Sequence, residues 1–389
     1  MDPCPLVDEV RFSGTQANMI IAHLSDFHVS RYGTRLTQLQ DMAWRADNGE
    51  GWETTRRAGD WRIQTRPPKR LQMHHRLRLV DDIGVVHRVV KVRRGRRARA
   101  EAIDSLLSFM EARERTTPQA LAARFPSPRR LEALLSFDPE NLNLRFCAVA
   151  HAVRLAQPDH IVITGDLTDD AEGFELILEG LDPFFSTGRV SLVPGNHDVY
   201  PSPPLWVAKP HRKSEAEKRM LWATFAASLG MAPSGSYVRP LAAGVLLVCF
   251  DSCHRAKVPG SASGLVLMRD LHEVARELDT LGKHVRLACL HHHVLNPPAR
   301  GMGLAPLQPG MRLRNARQVF ARLRELGFQL VMNGHRHIGY RFHPPMAPLF
   351  LSSPSSTIGC RSGERPYYWQ VEVDCHGLQK VVEIPIPPG

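Results

Sequence analysis

"HIVITGDLTDD" occupies residues 160–170. A short apolar run meets a glycine, and three carboxylates follow within five positions. A run this short, apolar without alternation, reads as a strand buried on both faces. The polar tail then marks what the strand end presents. The same arrangement recurs along the chain. "NMIIAHL" (18–24) precedes "SDFHVS", "VSLV" (190–193) precedes "PGNHD", and "VLLVCF" (245–250) precedes "DSCH". "VRLACL" (285–290) precedes "HHH", and "QLVMN" (329–333) precedes "GHRH". Amphipathic stretches lie between them, at 145–156, 214–230, 267–281 and 314–327. Buried strands alternating with helices predict an α/β protein whose sheets are covered by helices. The C-terminal runs "APLFLSS", "PYYWQVEVD" and "LQKVVEIPI" read as antiparallel strands turning at "GERP" and "CHGL".

Residues 33–142 interrupt this order. A strand–helix–strand connection needs a few turns of helix, not more than a hundred residues. Within the interruption, "RLRLVDDIGVVHRVVKV" (76–92) reads as a basic hairpin turning at Asp82–Gly84. Residues 100–115 read as a helix, and two more helices open at "TPQALAARF" and "SPRRLEALLSF" with Thr or Ser caps and an early Pro. The expected organisation is a discontinuous main domain, 18–32 with 143–389, and an inserted basic subdomain or cap at 33–142.

Composition narrows the classes. With 389 residues and 43% hydrophobic side chains, the chain can bury a core. No apolar run is long enough for a membrane-spanning helix, and the N-terminus shows no basic start followed by an apolar stretch. The seven cysteines are scattered, with no CxxC pair, which reads as reduced thiols in a cytoplasmic protein. Cys249 and Cys253 read as a core thiol and a neighbour, with close approach of the two as the lesser alternative. The net charge is +11, and residues 61–100, with thirteen Lys/Arg and two Asp, account for all of it. That segment is either a solvated face or the place for an anionic partner, nucleic acid or an anionic membrane surface. "KVRRGRRARA" (91–100) holds no aromatic residue, which weakens a base-stacking role.

The strand ends collect Asp26, His28, Asp166, Asn196, His197, the triplet His291 to His293, His335 and His337. In open α/β sheets ligands bind beyond the carboxyl ends of strands, so these groups are expected to converge. An Asp/His/Asn set without thiolates suits Mn²⁺, Fe or Zn²⁺ better than Ca²⁺ or Cu(I). Pairs spaced i, i+2 on an extended chain point to opposite faces, so Asp26/His28 and His335/His337 share a site only where the chain turns. Gly334, before the second pair, is the expected source of that turn, and Gly195 serves Asn196 and His197 in the same way. Taken singly, each motif also fits a polar turn or a helix cap.

The ordered series D-x-H, GDLTD, GNHD, a histidine run and GHRH resembles the calcineurin-like metallophosphoesterases, over 18–32 and 143–389. "FDS" (250–252), the triple histidine and "LFLSSPSST" (349–357) are most similar to class III cyclic-nucleotide phosphodiesterases. The resemblance implies a four-layer αββα sandwich of two mixed sheets flanked by helices, with a long inserted subdomain. It implies two divalent ions per chain, Mn or Fe with Zn as the alternative, roughly 3.5–4 Å apart and acidifying a water between them. Asp26, His28, Asp166 and His337 would hold the first ion. Asn196, His291 and His335 would complete the second around a bridging Asp166, with His292 the alternative to His291. His197 would be a general acid or phosphate contact oriented by Asp169. The expected substrate is a phosphodiester or phosphomonoester, such as a cyclic nucleotide. A nucleotide-lipid pyrophosphatase, a nuclease and a non-catalytic protein binding through the insertion stay open, because these motifs set the reaction and not the leaving group. Asp198 has no assigned role beyond capping the turn.

Overall fold

The computed structural model of the chain describes residues 18–30, 51–66, 74–82, 86–114, 141–202, 212–231, 235–254, 261–295, 309–360 and 365–386, with single positions at 33, 84, 129, 131 and 363. The two helices expected after residue 115 lie outside the described residues. In chain order the strands are β1 (Met19–Leu24), β2 (Glu53–Ala58), β3 (Trp61–Arg66), β4 (His74–Val80) and β5 (Val86–Arg93). They continue with β6 (His160–Ile163), β7 (Val190–Leu192), β8 (Tyr237–Ala242), β9 (Val245–Cys249) and β10 (Val285–Cys289). The last are β11 (Phe328–Asn333), β12 (Tyr340–Phe342), β13 (Leu349–Ser352), β14 (Tyr367–Asp374) and β15 (Gly377–Pro385). The helices are α1 (Arg96–Glu114), α2 (Leu142–Ala156), α3 (Phe174–Gly180), α4 (Asp182–Phe185), α5 (Asn196–Val199), α6 (Glu215–Ser228), α7 (Met268–Leu281) and α8 (Ala316–Glu325).

Two sheets form the centre. One runs β15-β14-β1-β6-β7, the other β12-β13-β11-β10-β9-β8. Each holds a run of parallel strands: β1, β6 and β7 in the first, and β9, β10, β11 and β13 in the second. Alternation along the strands builds the layers. Ile21 of β1 and Leu247 and Cys249 of β9 point into a shared core between the sheets. Ala22 and Leu24 point the other way, onto Phe146, Val149 and Val153 of α2 and Ile177 of α3. Leu246, Val248 and Phe250 pack on Leu271 and Val274 of α7 and on Leu323 of α8. Because β6, β7, β9 and β13 are buried at every position, their sequences are almost wholly apolar. The result is the expected order, helices, sheet, sheet, helices.

Three local expectations are corrected or sharpened. β13 is not an antiparallel neighbour of β14; it joins the second sheet, parallel to β11 and antiparallel to β12. The "GERP" segment therefore crosses between sheets. Cys249 and Cys253 are both buried, as core thiols, and the sulfur beside Cys249 is that of Cys289: parallel register pairs these two across β9 and β10, with their sulfurs 3.3 Å apart and no disulfide. The basic hairpin is present as β4 and β5, but it lies in a four-stranded antiparallel sheet, β2-β3-β4-β5, whose first two strands the sequence did not announce. β2, "ETTRRA", is polar on nearly every position, so it carries no apolar periodicity to read. Ile63, Leu77, Leu79 and Val92 on one face of this sheet pack against Leu106, Phe109 and Met110 of α1.

The ends of this insertion are held together. Leu142 N–H donates to Gly33 O at 2.7 Å, and Asn143 both receives from Ser30 N–H and donates to Ser30 O. Asn141 caps α2, its side chain accepting from the N–H groups of Asn143 and Leu144. The inserted chain therefore leaves and returns at one point, just beyond His28.

Candidate metal centre

Each candidate residue sits just past the carboxyl end of a parallel strand: Asp26 and His28 after β1, Asp166 after β6, Asn196 after β7, His291 after β10, His335 and His337 after β11. The two sheets bring these edges together. Phe27, between the first pair, drops into the core, while Asp26 and His28 face the centre.

The turns that allow this are made by the site residues themselves. Asp26, His28, Asp166, His335 and His337 have φ of 54°, 51°, 50°, 76° and 51°. Left-handed backbone at a non-glycine residue costs about 1–3 kcal/mol and persists where surrounding bonds over-determine it. Gly195 and Gly334 contribute differently, by leaving room for close contacts. A Cβ on Gly195 would stand 2.0 Å from the backbone nitrogen of Asp166, and one on Gly334 would stand 1.8 Å from Ser25 Oγ. The bonds that hold the first strained loop come from the serine run after β13. Ser355 Oγ donates to Asp26 O, Thr357 Oγ1 donates to Phe27 O, and Ser25 N–H donates to Ser356 Oγ.

Three overlapping groups of ligand-type atoms result among the described residues, around Asp26, around Asp166, and at the edge where His28, Asp169 and His197 meet. Around Asp26, His337 Nε2 is 3.4 Å from Oδ1, and His28 Nε2 is 2.9 Å from His337 Nε2. Around Asp166, His291 Nε2 is 3.5 Å from Oδ1, with Asn196 Oδ1 and His335 Nδ1 each 3.1 Å from that nitrogen. Asp166 Oδ2 reaches toward the first group, 3.9 Å from His28 Nε2, so this carboxylate stands between the two. Burial alone would raise the Asp26 carboxyl, but its hydrogen bond to His337 and the charges of His337, His291 and His28 hold it below the usual carboxylate range. Burial, then the neighbouring histidines, pushes the His335 imidazole well down, which keeps it in the neutral form that ligates.

The triplet is sorted by hydrogen bonding. His291 Nδ1 donates to Thr164 O at 2.7 Å, which leaves the Nε2 lone pair facing Asn196 and Asp166. His292 engages Ser252 Oγ through Nδ1 and Ala262 O through Nε2. His293 Nε2 lies on Gly334 O and Ser352 Oγ. Asp251 holds the turn after β9, accepting from Cys253 N–H at 2.7 Å.

The donor set suits divalent cations. Imidazole nitrogens, carboxylate oxygens and an amide oxygen converge with lone pairs facing one another, an arrangement that repels itself unless a cation is shared.

His197 stands at the edge, its side chain 24% exposed. Its Nδ1 is 3.0 Å from Asp169 Oδ1. The same oxygen lies 3.4 Å from His28 Nδ1, so Asp169 serves two imidazoles. His197 N–H donates to Asp166 Oδ1 at 2.8 Å. Its carbonyl receives a hydrogen bond from Lys218 of α6, a buried ammonium 2.6 Å from Asp170. Nothing local in the sequence points to Lys218, which reads as one more polar position of an amphipathic helix.

Asp198 gains a role. Fully buried, it accepts from Gly195 N–H, Leu167 N–H, Thr168 N–H and Thr168 Oγ1 at 2.8–3.1 Å. It ties the GNHD loop to the GDLTD loop. Burial, then the charge of Asp166, pushes its carboxyl up to about 6 against these bonds. Asp198→Ala would strand three amide protons and a hydroxyl, at about 1–3 kcal/mol each when unsatisfied. We expect a loss above about 4 kcal/mol in urea unfolding, in the exceptional tail for point mutations. Asp198→Asn, which keeps one acceptor, loses less.

The family model for calcineurin-like phosphoesterases matches residues 19–339. No curated protein matches the chain in sequence. Among solved structures, a dimetal phosphatase from Danio rerio is similar at 14% identity and a TM-score of 0.41, over 64% of this chain and 90% of that one. A purple acid phosphatase from yellow lupin (Lupinus luteus) seeds is similar at 10% identity and 0.40, over 59% and 45%. A 5'-nucleotidase from Candida albicans is similar at 14% and 0.34, over 61% and 42%. The chain thus spans less than half the length of the last two. The chain belongs to the calcineurin-like phosphoesterase family and is a hydrolase acting on phosphoric ester bonds.

Proposed function

We propose that the centre holds two divalent ions and hydrolyses a phosphodiester or phosphomonoester, with cyclic nucleotides as the first candidates. Asp26, His28, Asp166 and His337 hold one ion; Asp166, Asn196, His291 and His335 hold the other. The observation that carries this reading is the position of Asp166, whose two oxygens face the His28 group and the His291 group. When bound, such an ion pair supplies positive charge to the phosphate oxygens and acidifies a water. The donor set favours Mn or Fe, with Zn also accommodated. The free, mostly buried thiols support a reducing, cytoplasmic setting.

The protein's own groups do the rest. Asp169 accepts the Nδ1 proton of His197 and so favours the charged imidazolium. His197 Nε2 then gives its proton to the departing oxygen. Water forms the new P–O bond, the P–O bond to the leaving group breaks, and the water's proton passes to solvent. Lys218 fixes the His197 carbonyl and Asp166 fixes its N–H, which anchors the backbone that carries the ring, while Asp169 orients the ring itself.

Bis(p-nitrophenyl) phosphate tests the reading, followed by cyclic nucleotides, nucleotide-sugar lipids and single-stranded DNA. We expect p-nitrophenol release by the Mn²⁺-loaded chain, abolished by a chelator and restored by added Mn²⁺. Absence of turnover with Mn²⁺, Fe²⁺ and Zn²⁺ alike overturns it.

A further inference from the structure

The sheet β2-β3-β4-β5 presents its apolar face to α1. Its opposite face carries Arg62 and Arg66 from β3, Arg76 and Arg78 from β4, and Lys91 and Arg93 from β5. The register sets these groups in rows. Arg66 pairs with Arg76, and Arg76 pairs with Lys91, directly across three strands. Like charges placed opposite one another destabilise a sheet, and neighbouring strands are only about 4.8 Å apart. The charges of Arg66 and Arg62, after burial itself, disfavour the charged form of Arg78, so the three guanidinium groups sense one another. A grid of this kind concentrates positive potential on one face and attracts a polyanion.

The structure also supplies what the linear segment lacks. Trp52, just before β2, lies under the Arg78 guanidinium, 4.3 Å from carbon to ring centroid. Gln64 accepts from Arg78 Nε at 2.7 Å and steadies that stack. An aromatic ring set among guanidinium groups is a platform for nucleobases. The face is built almost wholly from arginine, whose planar fork matches phosphate oxygens. Its apolar members, Val80, Val86 and Val89, cluster at one end of the face with Val80 and Val86 buried, which leaves little apolar surface for insertion into a bilayer interface.

We infer that this face of the inserted sheet binds single-stranded nucleic acid, the arginine rows on the phosphates and Trp52 against a base. The insertion is rooted two residues beyond His28, with both ends pinned by Ser30 and Gly33. The binding surface stands on the sheet alone and does not rest on the reaction proposed above.

Fluorescence anisotropy of a labelled 20-nucleotide single strand tests it, with the Mn²⁺-loaded full chain and before a gel shows cleavage. Raising KCl from 50 to 200 mM weakens binding about a hundredfold, the loss for roughly five neutralised phosphates. Arg66→Gln/Arg76→Gln/Lys91→Gln lowers the slope of log affinity against log salt by about two. Trp52→Ala weakens binding about 5- to 100-fold at an unchanged slope. Thermal melts confirm that each variant is folded, and both keep wild-type hydrolysis of bis(p-nitrophenyl) phosphate. Binding that ignores both variants, absence of binding at 50 mM, or binding to phosphatidylserine vesicles in place of the oligonucleotide overturns the inference. A failure of bis(p-nitrophenyl) phosphate hydrolysis in the wild type bears on the metal centre alone.

Discussion

His197→Ala retains both ions and turns over about 10²- to 10⁴-fold more slowly, the range for losing a positioned general acid. The geometry separates the two properties. The His197 side chain lies against Asp169 at the partly exposed edge of the site and joins the ligand-type atoms only through Asp169 and His28, whereas the groups around Asp26 and Asp166 are buried. The loss depends on the leaving group. A p-nitrophenolate departs without a proton, so bis(p-nitrophenyl) phosphate shows the smaller effect. An alkyl ester must be protonated as it leaves and shows the larger one. Metal content by elemental analysis and rates on an aryl and an alkyl ester decide the matter. A variant that loses its metals makes His197 a ligand. Equal losses on both esters remove its role as proton donor.

Asp166→Asn is expected to reduce activity by more than about 10³-fold, beyond the cost of one preorganised hydrogen-bond donor. The isosteric amide keeps the volume but replaces one carboxylate oxygen with an NH₂ group. Asp166 uses both oxygens: Oδ1 faces His291 and receives His197 N–H, and Oδ2 faces His28. One substitution therefore disturbs both groups and the backbone anchor of His197 together. Bound metal should fall from two ions per chain to one or none. Full metal content with near-normal turnover would contradict the bridging position.

The sequence exposed most of the fold because strands buried on both faces announce themselves as short apolar runs, and most of these runs end in the candidate site residues. β2 escaped because it is an exposed, polar edge strand. β13 was seen as a strand but assigned to the wrong neighbours, since strand order depends on partners far along the chain. The candidate residues were visible because polar groups at strand ends are conspicuous against that background. Asp198 and Lys218 were not. An aspartate in a turn and a lysine on a helix are ordinary until the structure shows that the first accepts four hydrogen bonds and the second is buried against Asp170.

Residue type and local order, then, determined the class of fold, the strand ends that gather the candidate residues, and a hard-to-borderline donor set suited to divalent ions. These depend on periodicity and on functional groups, which a chain displays before it folds. Tertiary structure decided which histidine of the triplet frees its Nε2, because that rests on the distant carbonyl of Thr164. It decided that the turns are taken by Asp26, His28, Asp166, His335 and His337 themselves, with the glycines reserved for close contact. It also brought Trp52 beneath Arg78, giving an arginine-rich segment an aromatic partner. Each of these is a contact between groups remote in sequence, set by sheet register and packing and by nothing local to either residue.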